Sequence, residues 1–165
     1  MPLAAGRRTA EDWLESRHGL RRAIVDTTPG ETGMRIEDHW SKAGRLEGTR
    51  SGKLDTADDY ELVIWGCIHG GAHLANVALH KLGVTEETFD LIHSDIPELN
   101  RVVPPDVADM LATLKSIEAL GPRFVRGSEP FDPAAVKFCL TAYNSVKAFA
   151  ERLINQQTGV DRENR

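Results

Sequence analysis

The longest apolar stretch of the chain lies near its middle. Residues 62–79 contain no Asp, Glu, Lys or Arg. This pattern predicts a continuous helix that begins near residues 55–56, runs to Leu82 and ends at Gly83. Its length approaches that of a membrane span, but histidines, an asparagine and glycines interrupt the apolar run. We therefore expect a helix that is buried on nearly all sides within a protein.

Apolar residues at helical spacing predict three more helices. The first covers residues 9–25, another begins at Pro104-Pro105 and ends at Gly121-Pro122, and the last begins at Asp132-Pro133. Residues 26–55 are rich in Gly, Thr, Ser and charge, and predict a long loop or a mobile arm. A short helix over residues 86–92, capped by Thr85, precedes a loop over residues 93–99.

The pattern as a whole predicts an all-α protein. No segment alternates apolar and polar residues as a strand would, and the helices are joined by short connections. We expect an antiparallel bundle of about four to five helices around a long central helix, and a homodimer that forms through this helix. The predicted domains are an N-terminal helix and irregular arm (1–55), a helical bundle (56–157) and a polar tail (158–165).

Composition narrows the classes of partner and compartment. The net charge of the 165-residue chain is −5, so nucleic acid is an unlikely partner. The N-terminus, MPLAAGRRTAEDW, lacks the apolar core of a signal peptide, and we expect a cytoplasmic protein that binds no membrane. Cys67 and Cys139 lie within apolar helical patterns and are predicted to be buried, reduced thiols.

A stripe of polar residues follows one side of the central helix. At 100° per residue, the side chains of the stripe fall within about 80° of one another. The stripe consists of Leu62, Gly66, His69, His73, Asn76 and His80. It either faces solvent, lies in a polar interface such as that of a homodimer, binds a transition metal or lines a small-molecule pocket.

The metal hypothesis rests on the spacing of His69 and His73. Residues four apart on a helix share a face, so both imidazoles can reach one ion. His80 lies roughly 10 Å beyond His73 along the axis and cannot join that ion. Further ligands are expected from the following loop, where His93 and Asp95 are the candidates. The ion would be a divalent transition metal such as Zn, Fe, Ni or Cu.

The pocket hypothesis uses the same stripe for a small molecule. Asn76 would orient the ligand, and His69, His73 or His80 would contact it and supply acid–base chemistry. Arg123 and Arg126, in the turn before the last helix, are candidates for binding a phosphate or a carboxylate. No motif identifies a substrate, and whether the protein is an enzyme stays open.

The order of features over residues 57–154 resembles a HEPN domain. The quoted segments are NVALHKLGV at the end of the long helix, the histidine of IHSDIPEL, LKSIEALGPRFVRG, and a last helix after an acidic, proline-containing turn. The ribonucleases of that family carry an Arg followed closely by a His near the last helices, and here no histidine follows His93. The resemblance therefore implies a non-catalytic, homodimeric interaction or nucleotide-associated module. This is the alternative to a bundle that binds a metal or a small ligand through its histidine stripe.

Overall fold

The described part of the protein is a helical bundle. A computed structural model describes residues 33–91 and 103–163, with side chains through residue 156. It contains four α-helices and one π-helical turn, and no strand occurs among these residues. The helices are α1 (Ile36–Lys53), α2 (Tyr60–Lys81), α3 (Pro105–Glu118) and α4 (Pro133–Glu163), and the π-helical turn covers Gly121–Val125. The predicted all-α bundle is confirmed, and the helix predicted over residues 9–25 lies outside the described residues.

Helix α1 corrects the prediction of an irregular arm. Eighteen residues of the expected loop are helical. Acidic side chains in the first turn and basic ones in the last turn complement the helix dipole. Ile36, His39, Trp40 and Ala43 form the inner stripe, in which His39 and Ala43 are buried. The helix is stabilised by packing this stripe on α2.

Helix α2 is the centre of the bundle. It contacts α1, α3, α4 and the π-helical turn. By length and composition α2 would suffice to cross a membrane, yet 78% of its most apolar window is buried inside the protein. The expectation of a helix buried on nearly all sides is confirmed.

The ends of α2 follow two different local rules. Its start lies four to five residues later than expected. The Asp55 carboxylate accepts hydrogen bonds from the backbone N–H groups of Ala57 and Asp58 and holds a turn there. Its end is as predicted: Gly83 has a φ of 64°, and the N–H of Val84 donates to the carbonyl of Leu79. The chain therefore reverses sharply after α2.

The later elements match their proline and glycine signals. Pro105 opens α3, and the Asp132 carboxylate accepts the N–H of Ala134 at the start of α4. Helix α4 extends to Glu163, so the backbone of the predicted polar tail is helical up to that residue. The short helix predicted over residues 86–92 is wrong for residues 86–91, which form a turn and irregular backbone.

The core lies between α2, α3 and α4. Cys67 and Cys139 are both buried and free, as predicted. The largest fully buried apolar side chains are Tyr143, Phe124, Ile64, Leu74, Leu79, Leu114 and Ile117. The described helices belong to one compact unit that begins at Gly33. The predicted domain boundaries stay predictions.

Candidate metal centre

His39 enters the polar side of α2 from α1. Its side chain is 1% exposed. The ring lies between two histidines of α2, with centroids 5.1 Å from His73 and 5.4 Å from His80. Its Nε2 lies 2.9 Å from Oδ1 of Asp90, and its Nδ1 lies 2.8 Å from Nδ1 of His73. Both ring nitrogens are therefore engaged, one toward a carboxylate and one toward another imidazole.

His80 reaches the same carboxylate from the last turn of α2. Its side chain is fully buried, and its Nε2 lies 3.2 Å from Oδ1 of Asp90. Its Nδ1 lies 2.9 Å from Oγ1 of Thr85, itself buried just after the reversal at Gly83. His80 thus repeats the arrangement of His39, with Nε2 on the carboxylate and Nδ1 on a second polar group.

Asp90 is held by the backbone that surrounds it. The neighbouring Leu91 exchanges two hydrogen bonds of 2.9 Å with the side chain of Asn76, one through its N–H and one through its carbonyl. The N–H of Met34 donates to Oδ1 of Asp90 at 3.1 Å. A Cβ at Gly33 would overlap the backbone of residues 87–88, so the chain entering α1 lies directly against this segment. Two parts of the chain, α2 through Asn76 and the residues that lead into α1, therefore fix the carboxylate.

These three side chains form a set of potential metal ligands. One ligand atom each from His39, His80 and Asp90 lies within 4.8 Å of the other two. A tetrahedral ion with bonds of about 2.0–2.2 Å places its ligand atoms roughly 3.3–3.6 Å apart. The three atoms are therefore at most about 1.5 Å farther apart than the ligand atoms around such an ion. A set of two imidazoles and one carboxylate suits Zn²⁺ and other divalent transition metals better than Ca²⁺ or Mg²⁺, which prefer oxygen.

Burial favours the neutral form of the His39 and His73 imidazoles, because it lowers the pKa of both rings. It is the main cause that lowers the pKa of His73 from its ordinary value of 6.5 to about 4, and the nearby His39 and Lys42 lower it further. Burial also lowers the pKa of His39, against the opposing effects of the Asp90 carboxylate. A neutral imidazole has the lone pair that metal ligation requires.

The structure distributes the predicted site residues over different environments. Asn76 and His80 are buried, whereas His69 is partly buried with its ring against Trp65 at a centroid distance of 4.2 Å. His73 contacts His39 through Nδ1. Three polar residues of the stripe, His73, Asn76 and His80, therefore contact α1 or residues 85–91. This part of the stripe is a polar interface within the chain.

The remaining predicted site residues are either apart from this cluster or outside the described residues. His93 and Asp95 lie outside the described residues, so their pairing with His69 and His73 stays a prediction. Arg123 makes a bidentate ion pair with Glu129, at 2.9 and 2.7 Å, and Arg126 lies exposed near it. The proposed anion-binding role of these two arginines also stays a prediction.

Two members of the cluster were not predicted from the sequence. The composition of residues 26–55 places His39 in an irregular arm, although Ile36, His39, Trp40 and Ala43 have the spacing of one helix face. The sequence pattern places Asp90 in a short helix, and no local pattern indicates its position beside His80.

Comparison of the chain with known protein families, curated proteins and solved structures finds no match.

Proposed function

We propose that this protein binds one divalent transition-metal ion through Nε2 of His39, Nε2 of His80 and the carboxylate of Asp90. One observation carries the proposal: both Nε2 atoms converge on the same carboxylate oxygen, while both Nδ1 atoms face other polar groups. Metal-ligating histidines typically have a partner on their second nitrogen, which fixes the ring.

An ion suits this place better than an organic ligand. Asn76 and His80 of the stripe are buried and hydrogen-bonded to protein groups, so little room is left beside them. The Asp90 side chain is 17% exposed and His73 is partly buried, so the cluster lies close to the surface on that side. With three protein ligands, a tetrahedral ion keeps a fourth position for water or a small ligand.

The proposal is tested by metal titration of protein first stripped with a chelator. We expect one equivalent of Zn²⁺, or of Co²⁺ as a coloured substitute, to bind and to raise the melting temperature. Asp90→Asn, which keeps the shape but loses the charge, should abolish stoichiometric binding. His69→Ala should retain it, because His69 is not part of the convergent set. No bound Zn²⁺, Co²⁺, Ni²⁺, Cu²⁺ or Fe²⁺ in the unmodified protein, or equal binding by Asp90→Asn, would overturn the proposal.

We propose a homodimeric, HEPN-like interaction module as the second candidate function. It is supported by two large apolar side chains one turn apart on α2, Leu62 at 54% and Trp65 at 43% exposure. Light scattering of the unmodified protein and of the Leu62→Lys/Trp65→Lys variant tests it. The module is supported if the protein is a dimer that the double substitution dissociates. Phe138→Lys, on the exposed side of α4, is the control and should leave the dimer intact. A monomeric unmodified protein rejects it.

A further inference from the structure

We infer that His73 and Thr85 are positioning residues that hold the rings of His39 and His80 through their Nδ1 atoms in either tautomer, so that metal binding moves one proton within each of the rings of His39, His73 and His80. The inference rests on the metal site proposed above. It follows from the chain of contacts that joins Thr85, His80, Asp90, His39 and His73.

Without a metal, Asp90 at the centre of this series of contacts determines which atoms donate hydrogen bonds. The Asp90 carboxylate only accepts, so Nε2 of His39 and Nε2 of His80 must both carry a proton. In neutral rings, both Nδ1 atoms are then acceptors. His73 must consequently donate its Nδ1–H to His39, and Thr85 must donate its hydroxyl to His80. This pattern satisfies every side-chain contact in the chain, whereas the carbonyl oxygen of Thr85, 3.4 Å from Nδ1 of His80, receives a proton from that ring only when Nδ1 is the donor.

An ion at the two Nε2 atoms reverses the pattern. Each ligating Nε2 needs its lone pair, so the proton of each ring moves to Nδ1. His39 then donates to His73, whose Nδ1 must become an acceptor and whose proton moves to Nε2. His80 donates to Thr85, whose hydroxyl turns from donor to acceptor. Three protons remain on three rings throughout, so the rings neither gain nor lose charge.

The geometry separates these two residues from the proposed ligands. His73 lies against Nδ1 of His39, whereas the carboxylate lies against Nε2 of the same ring. Thr85 has the same relation to His80. Neither residue is placed among the convergent ligand atoms. Both act through the ring that they orient, and such outer partners typically change metal affinity by about 10–100-fold.

Tautomers are measured directly by ¹⁵N NMR of the imidazole nitrogens in the full-length, histidine-labelled protein. Without metal we expect the proton on Nε2 of His39 and His80 and on Nδ1 of His73. With Zn²⁺ bound we expect it on Nδ1 of His39 and His80 and on Nε2 of His73. Unchanged tautomers in a Zn²⁺-bound protein would overturn this inference alone, whereas a protein that binds no Zn²⁺ would overturn the metal proposal and this inference with it.

Substitutions at the two positions separate orientation from simple packing. His73→Leu should weaken Zn²⁺ binding by about 10–100-fold, and His73→Asn, whose amide can accept from His39, should restore most of it. Thr85→Val and Thr85→Ser form the corresponding pair at His80. If the leucine and asparagine variants lose affinity equally, or if they lose only folding stability with an unchanged Co²⁺ spectrum and affinity, His73 is a packing residue and the inference fails.

Discussion

His39 and His80 direct the same ring nitrogen, Nε2, to the same oxygen of Asp90, at 2.9 and 3.2 Å. One histidine belongs to α1 and the other to the last turn of α2, and the carboxylate follows the reversal at Gly83. The cluster therefore joins three segments of the chain. Any process that changes the charge or ligation of these rings acts on the docking of α1.

Acid should destabilise the fold through His73 and His39. The pKa of His73 is lowered by burial to about 4 in the folded protein, against 6.5 in the unfolded chain, and the pKa of His39 is lowered in the same direction. Below pH 6.5 protons therefore bind preferentially to the unfolded state. The stability that these rings contribute is fully present above that pH and is lost as the pH falls toward about 4.

Urea unfolding in the presence of a chelator, followed from about pH 7 to about pH 4, measures this loss. The His73→Asn variant, which lacks one of the titrating groups, should lose less stability over the same interval. Equal declines in the two proteins would show that His73 is not responsible.

Asn76→Ala should detach the segment that carries Asp90. The substitution leaves the buried N–H and carbonyl of Leu91 without their side-chain partner, which we expect to cost about 2–4 kcal/mol in the free energy of unfolding. Metal affinity should fall as well, since Asp90 precedes Leu91. Asn144→Ala, on the exposed side of α4, is the matched control and should change stability by less than about 0.5 kcal/mol. Calorimetry on both variants decides, and equal stability would contradict the proposed anchoring.

The long-range pattern of the sequence was sufficient for most of the fold. The uncharged run of α2 predicts a buried central helix. Gly83 indicates where α2 ends, and Pro105 and Asp132-Pro133 indicate where α3 and α4 begin, because these residue types have strong preferences at helix ends. The polar stripe was also placed on one face, because a continuous helix fixes the angular relation of His73, Asn76 and His80.

The sequence pattern does not predict which residues form the candidate metal site. Helix α1 was missed because its inner face includes His39, Glu47 and Arg50, and because its outer face carries glycines that lower helix propensity. Asp90 has no periodic signal at all. The position of Asp90 depends on the hydrogen bonds between Asn76 and Leu91 and on the close packing of Gly33 against residues 87–88. These are tertiary contacts.

Tyr143→Phe should leave the fold as stable as before, or more stable. The Tyr143 side chain is 1% exposed, and its hydroxyl has no hydrogen-bond partner within the part of the chain that the structure describes. Removing it relieves a buried polar group, while the ring keeps its contact with the Arg50 guanidinium.

Tyr60→Phe provides the comparison for Tyr143. The hydroxyl of Tyr60 donates to the carbonyl of Glu129 at 3.0 Å, and its removal should cost about 1 kcal/mol. Chemical denaturation of the two variants tests the contrast. A loss at Tyr143 as large as that at Tyr60 would mean that its hydroxyl is satisfied in solution.

Gly70→Leu should destabilise the monomer itself. Gly70 is buried against α4 in the structure. A Cβ there would lie 3.0 Å from Cε2 and 3.3 Å from the hydroxyl of Tyr143. A leucine would overpack this contact, and we expect the free energy of unfolding to fall by about 3 kcal/mol.

Gly48→Leu on α1 is the control. No described atom lies within 4 Å of a Cβ at Gly48, so this variant should gain up to about 0.8 kcal/mol in the free energy of unfolding through helix propensity. Thermal unfolding with light scattering measures both effects. A stable Gly70→Leu protein of altered mass would instead place this position in an interface between chains.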